Sequence, residues 1–171
     1  MQAPMTRSIR LRTSGPEQTQ RLGCIIGQRA QPGDVYLLSG PLGAGKTCLT
    51  QGLARGLGVE GYVRSPTFVL MTRHQGRLTL HHVDLYRIGS PAEAWDLGLD
   101  EQLFDAGVCV IEWAERAEEL LPEDALWLEF SYGESRDERE IVLDSESSRF
   151  DALMTALAAL SPADADGRVA P

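Results

Sequence analysis

The sequence contains no asparagine and only one lysine, Lys46, among its 171 residues. GTP-binding proteins usually recognise guanine with an N-K-x-D motif, and a chain without asparagine cannot carry that motif. The absence therefore argues against a GTPase of that kind. Every other permanently cationic side chain is an arginine. The position of Lys46 is therefore informative, because a compact ammonium suits a phosphate group.

Cysteine and basic charge are also scarce. Cys24, Cys48 and Cys109 are odd in number and form no C-x-x-C pair, which predicts reduced thiols and neither a disulfide framework nor a zinc site. The net charge is −9, whereas a domain that binds nucleic acid by itself usually has a basic surface. We therefore expect any role with nucleic acid to pass through a protein partner.

Long hydrophobic runs are missing as well. No apolar run approaches the roughly 20 residues that span a bilayer, and residues 1–12 lack the apolar centre of a secretory signal. With the reduced thiols, this predicts a cytoplasmic protein that makes no membrane contact. The length suits one domain, which we place at residues 1–161, and the small, acidic segment 162–171 is predicted to be a disordered tail.

The residues Gly40-Pro41-Leu42-Gly43-Ala44-Gly45-Lys46-Thr47, called the phosphate loop below, match G-x-x-x-x-G-K-[ST] at every fixed position. In this motif the glycine-rich backbone forms a nest of N–H groups for phosphate oxygens, the lysine contacts the β- and γ-phosphates, and the hydroxyl binds Mg²⁺. An apolar strand at 34–39 precedes the loop, and leucines at i, i+4 and i+8 predict a helix after it. A chance glycine-rich turn would not need this order of strand, loop and helix.

Two pairs of strand-like runs predict β-hairpins. The runs 68–74 and 78–83 are joined by a glycine-containing link, and the runs 125–132 and 140–143 are joined by a charged turn. Residues 8–13 and the apolar run 107–113 predict two further strands. The hairpins predict antiparallel pairing within a sheet that is otherwise parallel.

Helix-start signals and apolar periodicity predict the helices. One helix is expected to begin with a serine cap at Ser14, to end near Gln31 and to bury Leu22, Ile25 and Ile26. Ser90-Pro91-Ala92-Glu93 predicts another start, with helix continuing to 105 and interrupted near Gly98. The segments 114–121 and 150–160 are also predicted to be helical.

Two carboxylates are expected to follow strands, where functional groups of α/β sheets cluster. Asp84 could orient an attacking water or a magnesium-bound water, although a helix cap or a surface aspartate is also possible. Glu112 ends an apolar strand in the manner of a Walker B acid and could bind Mg²⁺ directly or through water. Trp113 is either part of the core or a stacking platform for a base. His82 by itself is more often a buried, satisfied histidine than a ligand.

The segment between the phosphate-loop helix and the first hairpin includes Ser65 and Thr67. Pro66 disfavours helix at Ser65, and many nucleoside triphosphatases place a γ-phosphate-sensing switch loop here. An ordinary connecting loop is the alternative. A small-molecule kinase also stays possible, although Arg116, Arg136 and Arg139 are too scattered to suggest a phosphate-clamping lid. A third possibility is a nucleotide-gated binding module without functional turnover.

Four motifs together resemble one family. G-P-L-G-A-G-K-T (40–47), V-R-S-P-T-F (63–68), H-V-D-L-Y-R (82–87) and V-I-E-W-A (110–114) match, in order and spacing, the TsaE family. These are bacterial ATPases needed for threonylcarbamoyladenosine modification of tRNA. The resemblance covers roughly residues 14–143. Pro41 departs from the acidic residue that the family often carries, at a variable position of the loop.

The resemblance implies a P-loop NTPase-like α/β fold with three layers, α/β/α, and a mixed sheet of about seven strands. It implies weak Mg²⁺-dependent ATP hydrolysis, yielding ADP, that acts on an assembly of the partners TsaB and TsaD, with tRNA met only through that assembly. Catalytic roles are implied for Lys46, Asp84 and Glu112, and metal binding for Thr47 and Glu112. The residues expected to bind the nucleotide are Pro41, Leu42, Gly43, Ala44, Gly45, Lys46, Thr47, Cys48, Ser65, Thr67 and Trp113.

Overall fold

The computed structural model describes residues 7–66, 70–103 and 105–160, and these contain one mixed sheet of seven strands in the order β1-β7-β6-β2-β5-β4-β3. The strands are β1 Arg7–Thr13, β2 Val35–Ser39, β3 Met71–His74, β4 Leu80–Asp84, β5 Val108–Glu112, β6 Leu126–Tyr132 and β7 Arg139–Ser145. The central strands β6, β2, β5 and β4 run parallel, while β3, β7 and β1 are antiparallel to their neighbours. The predicted seven-stranded mixed sheet is confirmed.

Helices cover both faces of this sheet. They are α1 Pro16–Arg29, α2 Lys46–Gly56, α3 Pro91–Asp96, α4 Leu99–Leu103 and α5 Asp151–Ala158, with 3-10 helices at Ala114–Leu120 and Ser148–Phe150. Helices α1, α2 and α5 pack on one face, and α3, α4 and the 3-10 helix after β5 pack on the other. The three-layer arrangement expected from the resemblance is confirmed. Within the described ranges, no helix combines the length and the apolar character needed to cross a membrane.

Burial on both faces explains why the central strand β2 is apolar from Val35 to Leu38. Tyr36 and Leu38 pack into the core beneath α1, α2 and α5, and Val35 and Leu37 pack into the core on the opposite face. Successive side chains of a strand point to opposite faces, so a strand covered by helices on both sides is buried at every position. Burial of β2 and β5 fixes the two strands whose ends carry the phosphate loop and Glu112.

Both predicted hairpins are confirmed, since β3 pairs with β4 and β6 pairs with β7 in antiparallel register. The helix start at Ser90 is confirmed as well, because the Ser90 hydroxyl accepts a hydrogen bond from the Glu93 N–H and α3 begins at Pro91. The interruption at Gly98 is confirmed by its φ of 86°, a left-handed conformation that glycine adopts without strain. The predicted tail 162–171 lies outside the described residues.

The prediction for the start of α1 was wrong by one residue. The N-cap is Gly15, which has no side chain to cap the helix, while the backbone N–H and the hydroxyl of Ser14 both donate to Oε1 of Gln18. Because Pro16 has its φ fixed in the helical range, it takes the first helical position and moves the cap to the residue before it. The helix ends at Arg29 instead of Gln31, and Ile25 is only partly buried.

Four glycines bring α1 and α2 into close contact. Gly23 and Gly27 on α1 and Gly52 and Gly56 on α2 each lie against the backbone of the other helix, so closely that a Cβ atom at any of them would overlap that backbone. Since a side chain at these positions would separate the helices, the glycines set how near α1 can approach. This packing fixes α2, whose first turn carries Lys46 and Thr47.

Candidate functional site

The phosphate loop connects the end of β2 to the start of α2. Gly40, Gly43 and Gly45 have φ values of 134°, 75° and 105°, which L side chains rarely adopt. A Cβ atom at Gly40 would in addition overlap the carbonyl oxygen of Phe130 on β6. The loop conformation therefore depends on glycine for backbone geometry and for the close approach of a neighbouring strand. The N-terminal end of α2, which favours anions, opens onto this loop.

Lys46 is the first residue of α2 and its side chain is buried, with 5% of the residue exposed. Its Nζ donates hydrogen bonds to the carbonyl oxygens of Gly40 at 2.6 Å and Pro41 at 2.9 Å. Burial lowers the pKa of this amine, because desolvation disfavours the ammonium form. Three carboxylates act in the opposite direction: Glu115, Glu112 and Asp84. The ammonium of Lys46 is thus hydrogen-bonded to the backbone of the phosphate loop.

Thr47 meets Glu112 although 65 positions separate them in the chain. The Thr47 hydroxyl donates to Oε2 of Glu112 at 2.9 Å, and Nε2 of His82 lies 3.0 Å from Oε1 of the same carboxylate. Glu112 is 2% exposed. The arrangement places two oxygen groups suitable for Mg²⁺ side by side, at the start of α2 and at the end of β5.

Asp84 lies beside Glu112, since the two residues are paired in the register of the parallel strands β4 and β5. Its Oδ2 accepts a hydrogen bond from the Ser65 hydroxyl at 2.5 Å, and its Oδ1 accepts one from the backbone N–H of Tyr86 at 2.9 Å. These bonds fix the orientation of the carboxylate. They also join the segment that contains Ser65 to the end of β4.

Trp113 follows Glu112 with a φ of 58°, a strained conformation for a residue with a side chain. This backbone turn brings the ring centroid to 4.1 Å from Nζ of Lys46. The Trp113 ring also contacts Tyr86, at 4.9 Å between the two ring centroids, and the Arg116 guanidinium, which lies 5.3 Å from the Trp113 ring. The strained residue therefore covers the lysine of the phosphate loop.

Comparison with known proteins identifies the family. A family model described as "Threonylcarbamoyl adenosine biosynthesis protein TsaE" matches residues 13–141. The chain belongs to the TsaE family. A Bacillus subtilis relative, named as a tRNA threonylcarbamoyladenosine biosynthesis protein TsaE, is 41% identical over 148 residues, which make up 86% of this chain and 92% of that protein. The Treponema pallidum TsaE is 47% identical over 107 residues, covering 63% and 79% of the two chains.

A solved structure extends the similarity from TsaE sequences to the fold. The crystal structure of Bacillus subtilis YdiB superposes with a TM-score of 0.77 at 37% sequence identity, covering 90% of this chain and 96% of that one. The arrangement of strands and helices described above is therefore also found in an experimentally determined structure. The resemblance seen in the four motifs is confirmed across most of the chain.

Six residues that the sequence proposed for a TsaE site lie in one cluster. They are Lys46, Thr47, Ser65, Asp84, Glu112 and Trp113, joined by the contacts given above. Thr67 lies outside the described residues. Of the remaining loop residues, Leu42 is 67% exposed. Their contact with a nucleotide stays a prediction.

Cys48 has its side chain turned away from this TsaE cluster. Its Sγ donates to the carbonyl oxygen of Pro16 at 3.3 Å, which places the thiol at the start of α1. Burial raises the pKa of the thiol, and the nearby carboxylate of Glu17 raises it further. A raised pKa lowers the fraction of reactive thiolate, which indicates that Cys48 is not an activated thiol.

Three residues that the sequence analysis did not assign to the site support the cluster, among them Arg139, one of the arginines that it set aside as too scattered to form a lid. The Tyr132 hydroxyl donates to the carbonyl oxygen of Leu42, and the Arg139 guanidinium donates to that of Gly43 at 3.3 Å. Thr50 donates to the carbonyl oxygen of Lys46 at 2.9 Å and lies 3.3 Å from Glu112. Helical spacing from Thr47 could have revealed Thr50, because residues three apart share a helix face. No sequence pattern could have revealed Tyr132 and Arg139, because they lie on the β6–β7 hairpin, 90 and 96 positions from the loop residues that they contact.

Proposed function

We propose that this chain is an Mg²⁺-dependent ATPase of tRNA threonylcarbamoyladenosine biosynthesis. Relatives in Bacillus subtilis and Treponema pallidum are named for that pathway, and family membership supports the same role here. The observation that carries the proposed chemistry is the 2.9 Å hydrogen bond from Thr47 to Glu112. It brings the hydroxyl of a phosphate-loop motif against the acid that ends a buried strand.

The donor atoms of this pair suit magnesium. Mg²⁺ prefers oxygen ligands and usually takes one or two from protein side chains, with phosphate oxygens and waters completing its shell. Thr47 and Glu112 would hold the ion, which when bound neutralises negative charge on the β- and γ-phosphates. Among the described residues there is no cluster of three His, Cys, Asp or Glu side chains with metal-binding geometry. The proposed site therefore depends on the nucleotide for further ligands.

The other residues of the cluster have distinct proposed roles. Lys46 would exchange its bonds to the Gly40 and Pro41 carbonyls for bonds to phosphate oxygens, which are charged and make stronger acceptors. Asp84 is oriented by Ser65 and the Tyr86 N–H, and it would accept a hydrogen bond from the attacking water. A carboxylate held within hydrogen-bond reach of a water is the geometry that general-base assistance needs.

We propose that this ATPase is weak alone and acts on an assembly of TsaB and TsaD in the cytoplasm. The net charge of −9 disfavours direct binding of tRNA, because nucleic-acid affinity depends largely on cationic contacts to phosphate. Contact with tRNA would then occur through the assembly. The three cysteines are free thiols, as expected in a reducing compartment.

The test measures ATP hydrolysis by the purified chain, alone and with TsaB and TsaD, at several Mg²⁺ concentrations. We expect hydrolysis to require Mg²⁺ and to increase when both partners are present. Lys46→Ala should abolish turnover, whereas Arg55→Ala, which removes an exposed cation from the same helix, should leave it unchanged. When tRNA and the other proteins and substrates of the pathway are added to the same samples, the amount of threonylcarbamoyladenosine formed on the tRNA is measured.

Two results would favour other functions. Transfer of phosphate to a small metabolite, without stimulation by TsaB and TsaD, would indicate a kinase. Glu112→Ala protein that binds ATP tightly, does not hydrolyse it and still supports modification at the wild-type rate would indicate a nucleotide-gated binding module. Wild-type protein that binds no nucleotide would contradict all three functions.

A further inference from the structure

We infer that His82 is a positioning residue for the metal ligand Glu112: its Nε2–H holds Oε1 of the carboxylate and leaves Oε2 for Thr47 and for Mg²⁺. The inference rests on the proposed function and adds to it a residue that touches neither nucleotide nor metal. His82 is fully buried on β4, so its imidazole must find its partners within the protein.

The alternation of β4 directs His82 towards the site. Leu80 packs into the core beneath α2, whereas Val83 packs into the core on the opposite face. Since alternate residues share a face, His82 and Asp84 point to the same side as Leu80, towards the first turn of α2. The neighbouring His81 points to the other side, where its Nε2 lies 3.2 Å from Oδ2 of Asp105.

The hydrogen bonds around Glu112 make His82 the main partner of Oε1. Nε2 of His82 lies 3.0 Å from Oε1, and the Thr50 hydroxyl lies 3.3 Å from the same atom. Thr50 has a single hydroxyl proton, and its bond to the Lys46 carbonyl oxygen is shorter, at 2.9 Å. When that proton is donated to the Lys46 carbonyl, the imidazole is the one remaining donor to Oε1 among the described side chains.

The tautomer of His82 follows from its partners. When Glu112 is the ionised carboxylate that a Mg²⁺ ligand has to be, it only accepts hydrogen bonds, so Nε2 is the donor in this contact. Nδ1 is buried and has no hydrogen-bond partner in the described part of the chain. A second N–H at Nδ1 would be a buried donor without an acceptor, which is costly. The geometry therefore assigns the Nε2–H tautomer.

Loss of this bond should affect the metal more than the nucleotide. Glu112 is 2% exposed, so water cannot readily replace the imidazole at Oε1, and the carboxylate would be free to rotate away from Thr47. Residues that orient metal ligands typically change metal affinity by about 10- to 100-fold when they are replaced. Nucleotide bound without Mg²⁺ does not need that orientation.

The experiment compares His82→Phe, which keeps a ring but no donor, with His82→Gln, whose amide can donate near the Nε2 position. His81→Phe is the matched control, because it removes the adjacent buried histidine from the opposite face. Calorimetry with ADP gives the dissociation constant with Mg²⁺ and with EDTA, and the ratio of the two measures the contribution of the metal. Thermal unfolding of each variant reports on stability.

We expect His82→Phe to reduce the Mg²⁺-dependent gain in ADP affinity by about tenfold or more, with little change in EDTA. His82→Gln should recover part of the gain, and His81→Phe should keep all of it. A His82→Phe variant that retains the wild-type gain, or loses affinity equally with and without Mg²⁺, would overturn the inference while leaving the proposed function intact. Wild-type protein that binds no ADP would overturn both.

A second measurement does not depend on a folded variant. Wild-type protein labelled with ¹⁵N-histidine contains three histidines, and the nitrogen shifts of His82 distinguish its two tautomers. We expect protonated Nε2 and unprotonated Nδ1, and a change in the Nε2 resonance when Mg²⁺ and ADP are added together. The opposite tautomer would overturn the inference.

Discussion

The ammonium of Lys46 lies 4.1 Å from the ring centroid of Trp113. A cation over the face of a tryptophan is attracted by the ring quadrupole, with a free energy of roughly 0.5–2 kcal/mol. The same ammonium donates to two carbonyl oxygens of the phosphate loop. The single lysine therefore makes three contacts within the protein, and under the proposed function a phosphate group would have to compete with them.

This contact predicts a fluorescence signal from Trp113. The sequence has three tryptophans, so a Trp95→Phe, Trp127→Phe double variant reports on Trp113 alone. Because the ammonium is expected to turn towards phosphate, titration with Mg²⁺ and ADP should change the intensity or the emission maximum until one nucleotide is bound. A chain that retains only Trp127 is the control and should show little change. An unchanged Trp113 signal at saturating ADP would contradict the expected movement of Lys46.

The lowered pKa of Lys46 predicts that its amine loses its proton at a lower pH than an exposed lysine does. Burial disfavours the ammonium, so the pKa lies below its usual value of 10.5. The single lysine gives one Nζ resonance in ¹⁵N-lysine-labelled protein, and its midpoint should fall below 10.5. Over the interval from the folded pKa up to 10.5 the unfolded chain binds more protons, so this group makes stability rise with pH. A midpoint at or above 10.5 would contradict the burial argument.

Tyr132→Phe is expected to weaken ATP binding without unfolding the protein. The variant removes the hydrogen bond from the β6–β7 hairpin to the carbonyl oxygen of Leu42, which fixes one peptide of the phosphate loop. A neutral hydrogen bond contributes about 0.5–1.5 kcal/mol, which corresponds to roughly 2- to 12-fold in Kd. Calorimetry would measure the change. Tyr62→Phe, at a tyrosine that is 74% exposed, is the control and should bind ATP like the wild type.

Gly52→Ala is expected to destabilise the fold. A Cβ atom at Gly52 would overlap the backbone carbonyl of Gln20 on α1, so α1 and α2 would have to separate. Overpacking of this kind costs about 1–3 kcal/mol or more, which denaturant unfolding would detect. Gly15→Ala should cost much less, because among the described residues the nearest atom to a Cβ there is Oε2 of Glu17, at 3.4 Å. Equal stability of the two variants would show that the helices can move apart.

The local elements were largely predictable because their signals are local. The phosphate loop with its strand and helix, both hairpins and the capped start of α3 depend on residues a few positions apart, whose spacing matches the periods of helix and strand. The start of α1 was the exception, since Ser14 and Gly15 are both reasonable caps and Pro16 decided between them. A pattern of residue types does not settle such a choice by itself.

The sequence proposed the residues of the cluster, whereas it did not predict how they are arranged. Lys46, Thr47, Asp84 and Glu112 were proposed from motifs and their expected positions at strand ends. That Asp84 lies beside Glu112 follows from the order of strands β4 and β5, which no local pattern encodes. The tertiary structure also decided that His82 faces Glu112.

The sequence by itself determined which residue types the candidate site contains, because a glycine loop, one lysine, one hydroxyl and two strand-ending acids are properties of single short segments. Only the tertiary structure decided which oxygen of Glu112 faces Thr47, how Tyr132 reaches the phosphate loop, and how closely α1 approaches α2. These contacts join residues that are distant in the chain. Their distances are set by the packing of the sheet and helices, which forms only when the whole chain folds.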